Sequence, residues 1–143
     1  MRFLVTVPAG NESEAAKRPD ASLVAAMQRF NEQLVKAGVM VAAEGLHPTS
    51  KGARIRYDAP GKTAVTDGPF TDSKELIAGF WIIETKSKDE AIAWMKKAPF
   101  GGGVELQLRQ IFESADFAAT LPPEQRAAEE RLRAELDAQR RKR

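Results

Sequence analysis

Two acid–base side chains stand out because each lies beside a rigid turn. Asp67 opens the segment DGPF at 67–70, and a carboxylate fixed on such a turn can act as a general base in a partly dry cleft. His47 is the single histidine of the chain and lies in EGLHP at 44–48. An imidazole beside a carboxylate forms a proton-shuttling pair that needs no metal. We therefore predict Asp67 and His47 as catalytic residues.

Both candidates also have an ordinary structural explanation. Asp commonly opens a turn by accepting hydrogen bonds from backbone amides, and this role alone would account for Asp67. A histidine in a strand-to-loop turn is commonly a surface residue, and this would account for His47. The sequence leaves these alternatives open.

Further side chains are candidates for binding a small acidic or carbonyl-bearing molecule. Two arginines alternate on one face of a predicted strand and can bind a carboxylate through paired guanidinium nitrogens. The same alternation also protects an edge strand from pairing with another strand. Lys74 can instead pair with Glu75, and Trp81 can instead belong to the core. The predicted ligand-binding residues are Glu44, Arg54, Arg56, Lys74 and Trp81.

Composition excludes several kinds of chemistry. Cysteine is absent, which excludes thiol nucleophiles, cysteine-bound zinc and iron–sulfur clusters. One histidine without a second at ligand spacing argues against a transition-metal site. The chain also lacks a phosphate-binding glycine loop and a serine nucleophile elbow. We therefore predict neither metal nor cofactor.

Length and charge bound the domain organisation and the partners. The 143 residues suit one domain with an appendage, and we predict a domain over 1–117 and a charged helical tail over 118–143. From Pro122 onward there are 7 basic and 5 acidic residues, leaving 15 of each before it. This neutral body argues against nucleic-acid binding. No apolar run is long enough for a signal core or a membrane span, so we predict a soluble, cytoplasmic protein.

Apolar periodicity divides the body into strands and helices. The first helix has apolar residues at helical spacing between a cap at Asp20 or Ser22 and an end at Gly38, and they are Leu23, Met27, Phe30 and Leu34. A second helix begins at the capping box 87–90 and ends at Pro99, and a third begins at Pro122-Pro123. The predicted strands are 2–8, 39–46, 75–85 and 104–112, with a hairpin of 53–57 and 62–66 and a loop over 11–19.

This order predicts a ferredoxin-like α+β sandwich with a C-terminal helical extension. The predicted strand 75–85 lacks polar alternation between Leu76 and Ile83, so we expect a central strand that is buried on both faces or lies at an oligomer interface. The two helices would cover one face of the sheet. Because the other face carries apolar residues, we expect a second copy of the chain to cover it.

The ordered motifs of the chain resemble the DGPF branch of the YCII-related (YciI-like) proteins, over roughly residues 1 to 117. The resemblance implies a ferredoxin-like fold of the dimeric α/β-barrel type, a homodimer with packed sheets, and a cleft near the DGPF turn. The YciI-like branch is associated with a His–Asp pair whose histidine lies in the first helix. Residues 20–38 contain no histidine, so that mechanism does not transfer directly. The motifs that carry the resemblance are 44–48, 65–70, 74–75, 79–81 and 89–94.

Two functions follow as alternatives. The first is a cofactor-free acid–base enzyme, of lyase or isomerase type, acting on a small acidic or carbonyl compound through Asp67 and His47. The second is a non-catalytic small-ligand-binding or transcription-linked regulatory module, since members of the resembled family are often encoded beside alternative sigma factors. The fold alone does not separate the two functions.

Overall fold

The computed structural model describes residues 1–10, 14, 20–71 and 74–143, so the loop predicted over 11–19 lies outside it except for Glu14. The chain forms two compact units, Met1–Gln110 and Ile111–Arg143. Short 3₁₀ turns occur at Thr49–Lys51 and Ser114–Phe117. The strands and helices in chain order are β1 (Arg2–Pro8), α1 (Ala21–Lys36), β2 (Met40–Gly45), β3 (Ala53–Ala59), β4 (Lys62–Asp67), β5 (Ile77–Glu84), α2 (Lys88–Met95), β6 (Gln107–Gln110) and α3 (Pro123–Arg141).

The first unit is built on a four-stranded sheet with the order β2-β5-β1-β6, in which every neighbouring pair is antiparallel. Strands β3 and β4 form a separate two-stranded hairpin. Because α1 connects β1 to β2 and α2 connects β5 to β6, the chain contains two β-α-β halves. The predicted ferredoxin-like α+β fold is confirmed.

The core lies between the sheet and the first two helices. Phe3 is opposite Ile83 and Val5 is opposite Trp81, so these four buried side chains share one face of the sheet. Helices α1 and α2 complete this core with the buried side chains of Phe30, Leu34, Ala91 and Met95. The predicted apolar stripe of α1 is confirmed except for Leu23, which is 40% exposed.

The predicted caps of the two core helices are present. The Asp20 carboxylate accepts hydrogen bonds from the backbone and the hydroxyl of Ser22, and these bonds, the hydroxyl's foremost, lower the pKa of Asp20. Ser87 Oγ accepts from the Glu90 amide at 3.1 Å. The Glu90 carboxylate reaches back to the amide of Lys86 at 2.9 Å, one residue before the Ser87 amide of a standard capping box.

Strand β5 is central, but its own chain buries only one of its faces. Trp81 and Ile83 are buried, whereas the alternate side chains of Ala78, Phe80 and Ile82 are half-buried. Within the single chain β5 is therefore buried on one face, and the alternative, that its other face lies at an oligomer interface, stays a prediction. We call this second side of the sheet, formed by Leu4, Thr6, Ala42, Phe80 and Ile82, the open face.

Strand β6 is shorter than the predicted 104–112. It pairs only with β1, and the pairing runs from Gln107 to Gln110. The pairing uses only Phe3–Thr6 of β1, although β1 itself runs from Arg2 to Pro8. Val104 lies before this ladder and is 42% exposed.

The second unit consists of the Ser114–Phe117 turn and α3. The rings of Phe112 and Phe117 pack at 5.1 Å between centroids. Helix α3 contains the predicted ion pair between Glu129 and Arg133, at 3.2 Å. Its apolar residues, Leu132 and Leu136, are 62% and 48% exposed. Across the residues described, no helix has both the length and the apolar character to cross a membrane.

Candidate functional site

The first unit contains two cavities that bear on function. The cavity between α1 and the sheet, which we call the sheet cavity, has a volume of about 230 Å³ and is predominantly apolar. Its walls and floor come from Val7, Met27, Asn31, Ala43, Glu44, Gly45, Ala78, Gly79, Phe80, Trp81 and Phe100.

The floor of the sheet cavity is a pair of glycines on adjacent strands. Gly45 of β2 is opposite Gly79 of β5, on the face of the sheet that carries Trp81. A Cβ at Gly79 would lie 2.8 Å from the Glu44 carbonyl oxygen, so the backbone there excludes other residues. A Cβ at Gly45 would meet nothing within 4 Å. The cavity therefore exists partly because neither strand places a side chain at this position.

A single side-chain amide marks the wall formed by α1. Asn31 Oδ1 accepts a hydrogen bond from Trp81 Nε1 at 2.9 Å. The indole is also held edge-on by the rings of Phe30 and Phe100, at 5.9 and 6.1 Å between centroids. Because the carbonyl oxygen is engaged, the Asn31 amide nitrogen is the group that can donate a hydrogen bond to a molecule in the cavity.

Glu44 is the ionisable residue among those that line the sheet cavity in the described structure. It is exposed and lies on β2 opposite Phe80, so its side chain projects to the open face and away from the Trp81 face that bears the cavity. No three His, Asp or Glu side chains of the described chain gather into a metal-ligating group.

The second cavity, which we call the turn cavity, lies where the hairpin leaves the sheet. It has a volume of about 500 Å³ and is more open than the sheet cavity. It is lined by Leu46, His47, Pro48, Thr49, Lys51, Gly52, Ala53, Arg54, Phe70, Glu75, Leu76 and Ile77.

The DGPF segment forms one wall of the turn cavity by packing tightly on the Thr49–Lys51 turn. The Gly68–Pro69 peptide bond is cis, and the Gly68 amide donates to the Gly52 carbonyl at 2.9 Å. A Cβ at Gly68 would lie 1.7 Å from the Thr49 carbonyl oxygen. Only glycine permits this close approach of two backbone segments.

The Thr49 side chain ties the DGPF segment to an earlier part of the chain. Its hydroxyl accepts from the Phe70 amide at 2.9 Å and donates to the Glu14 carboxylate at 2.6 Å. The Thr49 amide also donates to Glu14, at 3.2 Å. These bonds fix the position of Phe70. The guanidinium carbon of Arg54 lies over the Phe70 ring, 4.0 Å from the ring centroid.

The structure divides the sequence-predicted site residues between several positions. His47 and Arg54 line the turn cavity, and Glu44 and Trp81 line the sheet cavity. The other three are exposed and line neither cavity. They are Asp67, which is opposite Ala53 at the base of the hairpin, Arg56, which donates to Asp58 at 2.6 Å, and Lys74.

Sequence reasoning missed three residues that shape the two cavities: Asn31, Thr49 and Phe70. Asn31 had a usable signal, since it follows Met27 by four residues and precedes Leu34 by three, which is the apolar face of α1. Thr49 and Phe70 had none, because their roles depend on contacts between segments separated by 21 residues.

Comparison with known proteins defines the family. The YCII-related domain matches residues 1–114. The chain belongs to the YCII-related domain family. This YCII-related protein is 35% identical over 106 residues to an uncharacterised protein of Rhizobium meliloti (strain 1021), a match that covers 71% of the chain and 85% of the relative. Membership of the DGPF branch stays a prediction.

A distant likeness links the YCII-related protein to solved structures, of which we describe one. It is 5-chloro-2-hydroxyhydroquinone dehydrochlorinase of Burkholderia phenoliruptrix AC1100, in complex with 2,5-dihydroxybenzoquinone. The match has a TM-score of 0.38 and 18% identity, and it covers 80% of the chain and 98% of the solved one.

Proposed function

We propose that the protein binds a small, neutral, largely apolar molecule with one hydrogen-bond acceptor, such as a carbonyl compound, in the sheet cavity. The observation that carries this proposal is an apolar cavity with one available amide donor, on Asn31. Binding sites for small molecules are typically apolar cavities in which a few polar groups fix the orientation of the ligand.

The size of the sheet cavity limits the guest to a single ring. Its volume is about 230 Å³, and an engineered apolar cavity of about 150 Å³ is large enough to bind benzene. The aromatic walls supplied by Trp81 and Phe100 suit a ring of this kind.

Charge favours a neutral guest over an acid in the sheet cavity. Lys and Arg are missing from the residues that line it in the described part of the chain, and the Glu44 side chain projects to the opposite face of the sheet. A carboxylate ligand would therefore lose its hydration in this apolar cavity without a cation to offset the cost. Of the two ligand classes expected from the sequence, the cavity supports the carbonyl compound.

Cyclohexanone tests this proposal, with methylenecyclohexane as the isosteric control that lacks the acceptor. We expect cyclohexanone to shift the indole signal of Trp81 in NMR titrations and to bind about tenfold more tightly than the control, the factor that one hydrogen bond typically provides. Equal binding of the two compounds would contradict the assigned role of Asn31. The absence of saturable binding by either compound would contradict the proposed function.

Gly45→Val provides the matched structural test. Its side chain would extend into the sheet cavity, where a Cβ meets nothing within 4 Å, and we expect binding of cyclohexanone to be lost. Gly102→Val is the control, since Gly102 also has free space around its Cβ position and does not line the cavity. Unchanged binding of cyclohexanone by Gly45→Val would mean that cyclohexanone binds outside the sheet cavity.

A further inference from the structure

We propose that the turn cavity is a second binding site, specific for the carboxylate of a small organic acid with an apolar body. Three basic side chains, those of His47, Lys51 and Arg54, line it together with one acidic residue, Glu75. The sheet cavity has a different character, since no Lys, Arg or His is among the residues that line it in the described structure. The ligand proposed here therefore differs in charge from the neutral guest of the sheet cavity. The proposal for either cavity can fail without affecting the proposal for the other.

Arg54 is the residue that would recognise the carboxylate. Its guanidinium lies over the ring of Phe70, with 4.0 Å between the guanidinium carbon and the ring centroid. A ring at this distance attracts the cation and leaves N–H groups at the edge of the guanidinium free to bind a carboxylate through two parallel hydrogen bonds.

The ion pairs of the hairpin leave Arg54 available for such a ligand. Within the described residues, no carboxylate forms an ion pair with Arg54, whereas Arg56 on the same strand pairs with Asp58 at 2.6 Å. Arg54 is thus held in place by an aromatic ring rather than neutralised by an acid. A group that is already positioned loses less conformational entropy when it binds a ligand.

The apolar side chains of the turn cavity favour an organic acid over an inorganic anion. Leu46 and Ile77 line the cavity and remain 43% and 40% exposed. They adjoin the basic residues and offer contact area that phosphate or sulfate cannot use. A short hydrocarbon chain attached to a carboxylate would cover this apolar area while its charged end reaches Arg54.

Phe70 acts as a positioning residue in this site. The amide of Phe70 is bonded to Thr49 Oγ1, and the preceding Gly68 packs against the Thr49 backbone. The DGPF turn therefore fixes the ring on which Arg54 lies. This assigns a physical role to the motif that does not require Asp67 to touch a substrate.

Hexanoate is the probe, followed by the Arg54 Nε–H and His47 ring signals in NMR titrations of the full chain. We expect saturable binding of about millimolar affinity, weakened about tenfold or more in Arg54→Gln, the loss that corresponds to one charge-assisted pair. Arg54→Lys keeps the positive charge but cannot form two parallel hydrogen bonds, so its affinity for hexanoate should lie between those of the native protein and Arg54→Gln. Phe70→Leu should weaken binding several-fold while keeping every charge.

Lys62→Gln is the matched control, because it removes one positive charge from the same hairpin at a residue that does not line the turn cavity. The affinity of this variant for hexanoate should stay within about twofold of the native value, since salt screens the effect of a solvent-exposed charge outside the cavity on the bound carboxylate. Equal losses in Lys62→Gln and Arg54→Gln would overturn the assignment to Arg54. If Arg54→Gln fails to fold, the hexanoate affinities of Arg54→Lys and Phe70→Leu test the proposal instead.

Two further comparisons decide the ligand class and the location. Inorganic phosphate or 1-hexanol binding as tightly as hexanoate would overturn the proposal of an organic-acid site. Gly45→Val, which fills the sheet cavity, should leave hexanoate binding unchanged. Loss of hexanoate binding in that variant would mean that hexanoate binds in the sheet cavity, and it would overturn the proposal of a second site. Cyclohexanone binding tests the sheet cavity alone.

Discussion

Gly68 shows how a single residue can mark a motif for structural rather than chemical reasons. Its Cβ position lies 1.7 Å from the Thr49 carbonyl oxygen, whereas that of Gly52 lies 3.5 Å from the same atom. We predict that Gly68→Ala lowers the free energy of unfolding by about 1–3 kcal/mol, because the two backbone segments must separate. Chemical denaturation measures this loss.

Gly52→Ala is the control for that experiment. Its added methyl group makes an ordinary van der Waals contact with the same oxygen, so the free energy of unfolding should change by no more than about 0.5 kcal/mol. Equal destabilisation by the two substitutions would show that the close approach of Gly68 to Thr49 is not what requires glycine there.

Asp67 is the sequence-predicted base that most needs a direct test. It is exposed, lies opposite Ala53 in the hairpin and lines neither cavity. We predict that Asp67→Asn leaves both cyclohexanone and hexanoate binding within about twofold of the native values, since an exposed charge outside a site contributes little. Loss of binding of either compound in Asp67→Asn would contradict this placement of Asp67 outside both sites.

At the scale of elements, sequence reasoning succeeded where local rules decide the outcome. The caps at Asp20 and Ser87 depend on neighbouring residues, and so they could be predicted from short segments. The burial of β5 and the length of β6 depend on which strands lie beside them. For the same reason, the sheet cavity could not be foreseen, because its floor exists only once Gly45 and Gly79 are paired across two strands.

The β3–β4 hairpin is the element whose surface departs most from that of a packed domain. Ile55 is opposite Val65, with Tyr57 on the same face, and the three side chains are 60%, 65% and 79% exposed. A two-stranded hairpin is only marginally stable by itself in water. Its contacts at Gly68 and Arg54 with the rest of the first unit therefore contribute to its stability.

We predict that the hairpin opens more readily than the sheet. In hydrogen exchange followed by mass spectrometry, peptides from Ala53–Ala59 and Lys62–Asp67 should exchange at least about tenfold faster than peptides from Ile77–Glu84, because few buried contacts oppose local opening. Equal protection of the two regions would mean that another molecule covers the apolar face of the hairpin.

At the scale of the whole molecule, the open face bears on the expected homodimer. Ile82 is opposite Leu4 on one side and Ala42 on the other, and Phe80 lies on the same face. Half-buried apolar side chains that form a continuous face of a sheet are typical of an interface. A two-fold arrangement would let this face pack against its own copy, since such an interface joins identical patches.

We predict that Ile82→Glu converts a dimer into monomers, because a two-fold axis would bring two buried carboxylates close together at the centre of the interface. Analytical ultracentrifugation over a range of protein concentrations measures the change in mass. Val35→Glu is the matched control, since Val35 is 62% exposed on α1 and outside the open face. A native chain that stays monomeric at about 100 μM would contradict the dimer, and dissociation by both substitutions would contradict the choice of face.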